Sequence, residues 1–294
     1  MKRDVQVQLV QSAPVLGDVA RNLEAHLEAV EAARDAGADM VVFPELSLTG
    51  YFLRDLTSEV ALGIDSEVVG RLAEAARDIS ICFGMVEESG DHRMYNAQVF
   101  CEEGRVLQTH RKVYLPTYGL FEEGRYLAPG DSFVPVDSAL GRFGLLVCED
   151  LWHLSSSYLH FLNGVDAIVC APAAPGRGVT DPDGEISTAR SWNLLLKAQA
   201  LFFQLHTIYV NRVGFEDGVL FWGGTKVVSP FGRVVAEAEG QDEAAVTATL
   251  EAGAVRRART MTPTLRDEKD HLVLETLMRM RHGRGPEEPS RDSS

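Results

Sequence analysis

Residues 144–152 read GLLVCEDLW, a cysteine set at the end of an apolar run and followed at once by two acids. A short apolar run that gives way to charge reads as a buried strand emerging into a loop. Cys148 therefore falls at the carboxyl end of a strand, where α/β proteins tend to place their chemistry. A cysteine in such a run is by default a structural thiol, since free Cys is among the most buried residue types. Two other segments move the reading away from that default.

The first is VVFPELSLTGY (41–51), a second strand ending, with Glu45 just beyond Phe43 and a Leu/Thr/Gly turn after it. The second is HRKVYLPTYGLFEEGRYLAPG (110–130), where Lys112 follows a strand-like run and Glu123 precedes an aromatic residue and a Pro-Gly turn. Singly, Glu45 and Lys112 would be solvated charges. A carboxylate, an ammonium and a thiol at three strand ends form a workable set for amide cleavage. The thiol attacks, the carboxylate takes its proton and the ammonium meets the oxyanion.

FPELSLTGY, HRKVYLPTYG with its trailing EGRYLAPG, and LLVCEDLW resemble, in the same order, the signature blocks of the nitrilase (carbon–nitrogen hydrolase) superfamily, over roughly residues 4 to 270. Within that span CEDLW, LPTYG and VNRVGFEDGVLFWGGT (210–225) look most like the glutaminase domain of glutamine-dependent NAD synthetases. The resemblance implies an α-β-β-α sandwich, two sheets face to face with helices outside. It implies Cys148 as nucleophile, Glu45 as general base and Lys112 as oxyanion donor, with the Glu149 backbone N–H as a second donor. Glu123 matches a second glutamate beside these three; spacing alone does not separate it from Glu122. Tyr118 and Trp152 match acyl-pocket positions, and Arg177 stands where a guanidinium could meet a substrate carboxylate.

The chain departs from the glutaminase pattern in two ways. Ala173-Ala174 stands where that pattern carries serine, which weakens glutamine as the substrate. No G-x-x-x-x-G-K-[ST] loop for a nucleotide is present. The expectation is a stand-alone thiol amidohydrolase for a small amide, with no cofactor and no metal. The alternatives are a glutaminase subunit supplying ammonia to a separate NAD synthetase, and a nitrile hydrolase. Nitrilases carry tryptophan where this chain has Glu149, which disfavours the last.

At 294 residues, 45% hydrophobic and 24% charged, the composition is that of one large globular domain. The formal net charge of −15 disfavours nucleic-acid and anionic-membrane partners. No apolar run approaches the roughly 18 residues that suggest a membrane span, and since MKRDVQVQLVQ runs straight into strand alternation, no leader is expected. Cys82, Cys101, Cys148 and Cys170 lack C-x-x-C spacing, and all but Cys148 read as core hydrophobes in a reducing cytoplasm.

Patterning predicts strands at 4–10, 40–43, 81–86, 94–100, 105–110, 143–147 and 166–170. It adds short strands at 207–210, 219–222, 225–229 and 233–238, with Pro230-Phe231-Gly232 as the last turn. Helices are expected from Asp18 to near Gly37, over 66–79, over 185–205, and over 265–281. The hydrolase domain is expected over 1–282 and a disordered tail over 283–294. The last helix either packs on its own domain or crosses the interface of a homodimer or higher homo-oligomer.

Overall fold

Alternate residues of Met40–Val42 point to opposite layers, and that period of two organises the architecture. Met40 and Val42 face a second sheet, while Val41 faces helices. The computed structural model describes residues 1–177 and 186–283; the expected tail lies beyond them except for Gly283. One six-stranded sheet holds β1 (Val5–Gln11), β2 (Met40–Val42), β3 (Ser80–Glu88), β4 (Met94–Glu102), β5 (Arg105–Arg111) and β14 (Ala244–Leu250). Its order is β14-β1-β2-β3-β4-β5. The other holds β6 (Val136–Ser138), β7 (Gly141–Val147), β8 (Ala167–Ala171), β9 (His206–Tyr209), β12 (Lys226–Val228) and β13 (Val234–Glu237). Its order is β13-β12-β9-β8-β7-β6. A separate ribbon pairs β10 (Val213–Glu216) with β11 (Val219–Trp222).

Between the sheets, Val5, Val7 and Leu9 of β1 and Met40 and Val42 of β2 meet Phe143, Leu145 and Val169. Phe100 and Phe143 stack at 5.9 Å within this layer. Full burial of each such side chain contributes about 1.5–3 kcal/mol. On one outer face, Val41, Ile81 and Phe83 pack on Leu23, Val30 and Leu72 from the helices Val19–Asp35 and Glu67–Ala75. On the other, Ile168, Cys170 and Tyr209 pack on Trp192, Leu196 and Ala200 from the helix Ser187–Phe203. The layers are therefore α-β-β-α, as expected. Asp18 caps the first helix by accepting the Arg21 N–H at 3.0 Å. Cys82, Cys101 and Cys170 are fully buried.

Several elements differ from the sequence reading. β14 pairs antiparallel with β1 along its whole length, from Val5 opposite Leu250 to Gln11 opposite Ala244. Its sequence AAVTATL is too rich in small residues to show a strand signal. The helix Leu154–Leu162 is masked in the sequence by its three serines, two of them buried, with the Ser157 hydroxyl donating to Gln199. The helix expected over 265–281 is two pieces, Thr264–Asp267 and Asp270–Gly283, parted by extended backbone at Glu268. Leu272, Leu274, Leu277 and Met278 of the second piece are exposed, so they do not pack on the chain's own core. No described helix is long and apolar enough to cross a membrane.

β1, β2 and β3 run parallel in one sheet and β7, β8 and β9 in the other. Their carboxyl ends launch the loops that carry Glu45 and Cys148. The Glu45 loop lies directly on β3 at Gly84, where a Cβ would stand 2.4 Å from the Leu46 nitrogen and 2.6 Å from the Pro44 oxygen. Both obstacles are backbone, so neither can swing away. Gly84→Ala should destabilise the fold by about 1–3 kcal/mol, seen as a lower urea midpoint. An unchanged midpoint would show that the loop is not held against the strand.

Candidate active site

Cys148 follows β7 directly, opening a short 3-10 turn over Cys148–Trp152. Its φ is 45°, left-handed backbone that favours glycine, and a non-glycine residue is held there at a cost of roughly 1–3 kcal/mol. The residue is 7% exposed. The elbow is braced by Asp150, a fully buried acid whose Oδ2 accepts the Val147 N–H at 3.1 Å and His110 Nε2 at 2.8 Å. Its Oδ1 accepts the N–H groups of Val113 and Tyr114, each at 3.0 Å. One carboxylate thus ties the cysteine turn to the loop just after Lys112.

Lys112 leaves the end of β5 and is fully buried. Its N–H donates to the Asn96 carbonyl and its own carbonyl accepts from Gly130, both at 2.8 Å. Its Nζ donates to Glu45 Oε1 and to Glu123 Oε1, each at 2.7 Å. Glu45 Oε1 also accepts Asn96 Nδ2 at 2.7 Å, and Oε2 accepts the Ala173 N–H at 2.5 Å. Glu123 Oε1 also accepts the Tyr51 hydroxyl at 2.5 Å. Glu122 is exposed, while Glu123 is buried and is the one of the two that meets Lys112.

Burial opposes the charge on Lys112, but the pull of Glu123 and Glu45 outweighs it and holds the ammonium above its ordinary pKa. Burial pushes Glu123 up to about 7, with Lys112 pulling it down and Glu45 pushing it further up. The Cys148 thiol is pushed well above its ordinary value by burial and then by Glu45, against the opposing pull of Lys112. At rest it is a thiol rather than a thiolate, and it needs a base to become a nucleophile. Two of the three Lys112 donors are engaged by carboxylates among the described residues, leaving one for a developing oxyanion.

The four residues expected to carry chemistry thus share one buried neighbourhood. Of the four expected around the substrate, three share one cavity and Glu149 joins them through Tyr118. Tyr118 donates to Glu149 Oε2 at 2.8 Å, and its phenol is pushed up to about 12 by burial, by that bond and by the nearby Glu149 and Cys148. Trp152 rests edge-on against Trp192 at 5.2 Å. The Arg177 guanidinium lies 4.8 Å from the centre of the Phe121 ring. Tyr118, Trp152 and Arg177 line an open cavity of about 380 Å³ with Ser187, Thr188 and Ser191. Among the described residues no His, Cys, Asp and Glu group is arranged to hold a metal.

Three contributors escaped the sequence reading: Asp150, Asn96 and Tyr51. Asp150 lies inside the CEDLW block and Tyr51 closes FPELSLTGY, but neither motif by itself assigns them a role. Asn96 sits in the apolar run MYNAQVF, where a buried carboxamide is itself a signal.

A family model described as carbon-nitrogen hydrolase matches residues 6–260. The chain is 32% identical over 257 residues to the glutamine-dependent NAD(+) synthetase of Thermotoga maritima, covering 85% of this chain and 42% of that protein. It is 32% identical over 270 residues to an (R)-stereoselective amidase of a Pseudomonas species, covering 90% of this chain and 92% of that one. Among solved structures, the glutamine-dependent NAD+ synthetase of Acinetobacter baumannii superposes with a TM-score of 0.78 at 27% identity, covering 86% of this chain and 47% of that one. The chain spans less than half the length of the synthetases it matches. On the extent of these matches, and on a fold that agrees with them, the chain belongs to the carbon–nitrogen hydrolase family.

Proposed function

We propose that this chain is a thiol amidohydrolase that cleaves the linear, non-peptide C–N bond of a small amide through a thioester on Cys148. The observation that carries the reading is the Lys112 ammonium, fully buried between Glu45 and Glu123 beside a cysteine in left-handed backbone. In the proposed cycle Glu45 takes the Cys148 proton as the sulfur bonds to the amide carbon. The carbonyl electron pair moves onto oxygen, where the free Lys112 donor and the Glu149 N–H meet it. Loss of one such donor lowers rates by about 10²–10³. Collapse of the adduct breaks the C–N bond, and the amine leaves with the proton held by Glu45. Water, deprotonated by Glu45, then attacks the thioester, and the sulfur departs as the thiol.

The surroundings favour a modestly polar acyl group. Ala173 and Ala174 are buried, and their N–H groups are already given to Glu45 and Asn211. Neither offers a donor or acceptor side chain to an α-amino group, and a substrate polar atom left unpaired costs about 1–3 kcal/mol. Arg177 at the rim remains the proposed partner for a substrate carboxylate. Similarity to the glutaminase-bearing half of NAD+ synthetases favours a second reading, in which the chain releases ammonia from glutamine for a separate synthetase. A cytoplasmic homo-oligomer remains the setting proposed for either activity.

Assaying the purified protein for ammonia release against glutamine, aliphatic amides and aromatic amides separates these readings, with intact-mass detection of the acyl-enzyme. The expected result is higher kcat/KM for the less polar amides and one acyl adduct that vanishes in Cys148→Ala. Glutamine ahead by tenfold or more would favour the second reading. An adduct that persists in Cys148→Ala on Cys82, Cys101 or Cys170 would refute the nucleophile.

The Glu123 carboxylate adds negative charge beside the thiol once it ionises near pH 7. Removing a neighbouring negative charge lowers a thiol pKa, so Glu123→Gln should move the midpoint of Cys148 alkylation by iodoacetamide down by about one pH unit. A midpoint that stays or rises would contradict the electrostatic arrangement.

A further inference from the structure

The segment 210–225 contributes a buried ion pair that the proposed cycle does not use. Arg212, 1% exposed, donates from Nη1 to Glu216 Oε2 at 2.6 Å, across the start of the β10–β11 ribbon. The other Glu216 oxygen accepts two consecutive backbone N–H groups, from Tyr51 at 2.8 Å and Phe52 at 2.6 Å. Phe221 of β11 completes the contact, with the Arg212 guanidinium 4.2 Å from its centre and the rings of Tyr51 and Phe52 each at 6.0 Å. Gly50 lets this loop approach, since a Cβ there would lie 2.8 Å from the Leu16 Cα and 3.0 Å from Glu216 Oε2. From the same loop the Tyr51 hydroxyl reaches Glu123 Oε1 at 2.5 Å, the atom that Lys112 also holds.

Stability alone does not call for such a pair. A buried Arg–Glu pair is often no better for stability than well-packed apolar residues of the same volume, because both charges must be desolvated. What apolar residues could not do is present an oxygen to two neighbouring N–H groups at the base of Tyr51. The Arg212 charge also offsets that of Glu216, so the clamp adds no net charge near Glu45 and Glu123. We infer that Arg212 and Glu216 are positioning residues that hold Tyr51 on Glu123 and thereby fix Glu123 against Lys112. The inference rests on the catalytic reading of Glu123 and Lys112 above.

The test measures iodoacetamide alkylation of Cys148, located by peptide mapping, as a function of pH, together with urea unfolding. The groups facing Glu123 are Lys112, Glu45, Tyr51 and Cys148, and its ionisation should appear as an inflection near neutral pH. Tyr51→Phe removes a hydrogen bond that favours the carboxylate, so the inflection should move up by about one pH unit. Glu216→Gln leaves one oxygen to serve both Arg212 and the two N–H groups, and should move the inflection the same way. In the Tyr51→Phe background it should add nothing. The paired change Arg212→Met with Glu216→Leu removes the acceptor of the Tyr51 and Phe52 N–H groups and should reproduce the shift, with a lowered unfolding midpoint that reports the two unpaired donors. Selective labelling of Cys148 with the inflection unmoved in the Glu216 variants, or shifts that add to Tyr51→Phe, would overturn the inference alone. Unselective labelling of the unsubstituted protein would overturn the catalytic reading and the inference with it.

Discussion

The structure depends on an ammonium with no access to water. Lys112 is fully buried, and its Nζ is held by Glu45 and Glu123 at 2.7 Å each. A buried charge of this kind survives only when paired and hydrogen-bonded, and removing one partner from such a pair typically costs about 3–5 kcal/mol. The neighbouring elements read as answers to that constraint. β4 lends Asn96 to Glu45 and to the Lys112 backbone, β8 leads into the Ala173 N–H, and the β10–β11 ribbon secures the loop of Tyr51. Burial, and after it the carboxylates of Glu45 and Glu123, keep the thiol neutral at rest, which makes Glu45 a necessary partner of Cys148 in the proposed cycle.

How each group reaches this point follows from strand geometry. Parallel strands from two facing sheets end on the same side, and their loops converge there. Close convergence requires glycine where backbones meet, as at Gly84 under the Glu45 loop. It also requires left-handed backbone at two non-glycine positions, Leu46 and Cys148. Asp150 then locks the cysteine turn to the Lys112 loop through four donors.

The parts of this arrangement visible in the sequence were those with strong local signatures. Apolar runs that break at a charge mark the ends of β2 and β7, beside Glu45 and Cys148, while a strand-like run marks β5, which Lys112 follows. The four-layer sandwich came from the family resemblance and agrees with the structure. Asp150 and Tyr51 carry no local signature of their roles, because each acts on residues distant in sequence. Glu216 lies 165 positions from the Tyr51 N–H it accepts. Such pairings are set by topology, which local patterning does not encode. β14 was missed for a different reason: its Ala and Thr residues are held by pairing to β1 more than by a hydrophobic stripe of their own.

The central claim is that Cys148 rests as a thiol and is activated by Glu45 within a cluster built around Lys112. Thiolate absorbance in the near ultraviolet, taken as the difference between the unsubstituted protein and Cys148→Ala across neutral pH, tests it most directly. The account predicts no thiolate signal from Cys148 until the pH is well into the alkaline range. A thiolate already formed at neutral pH would contradict it.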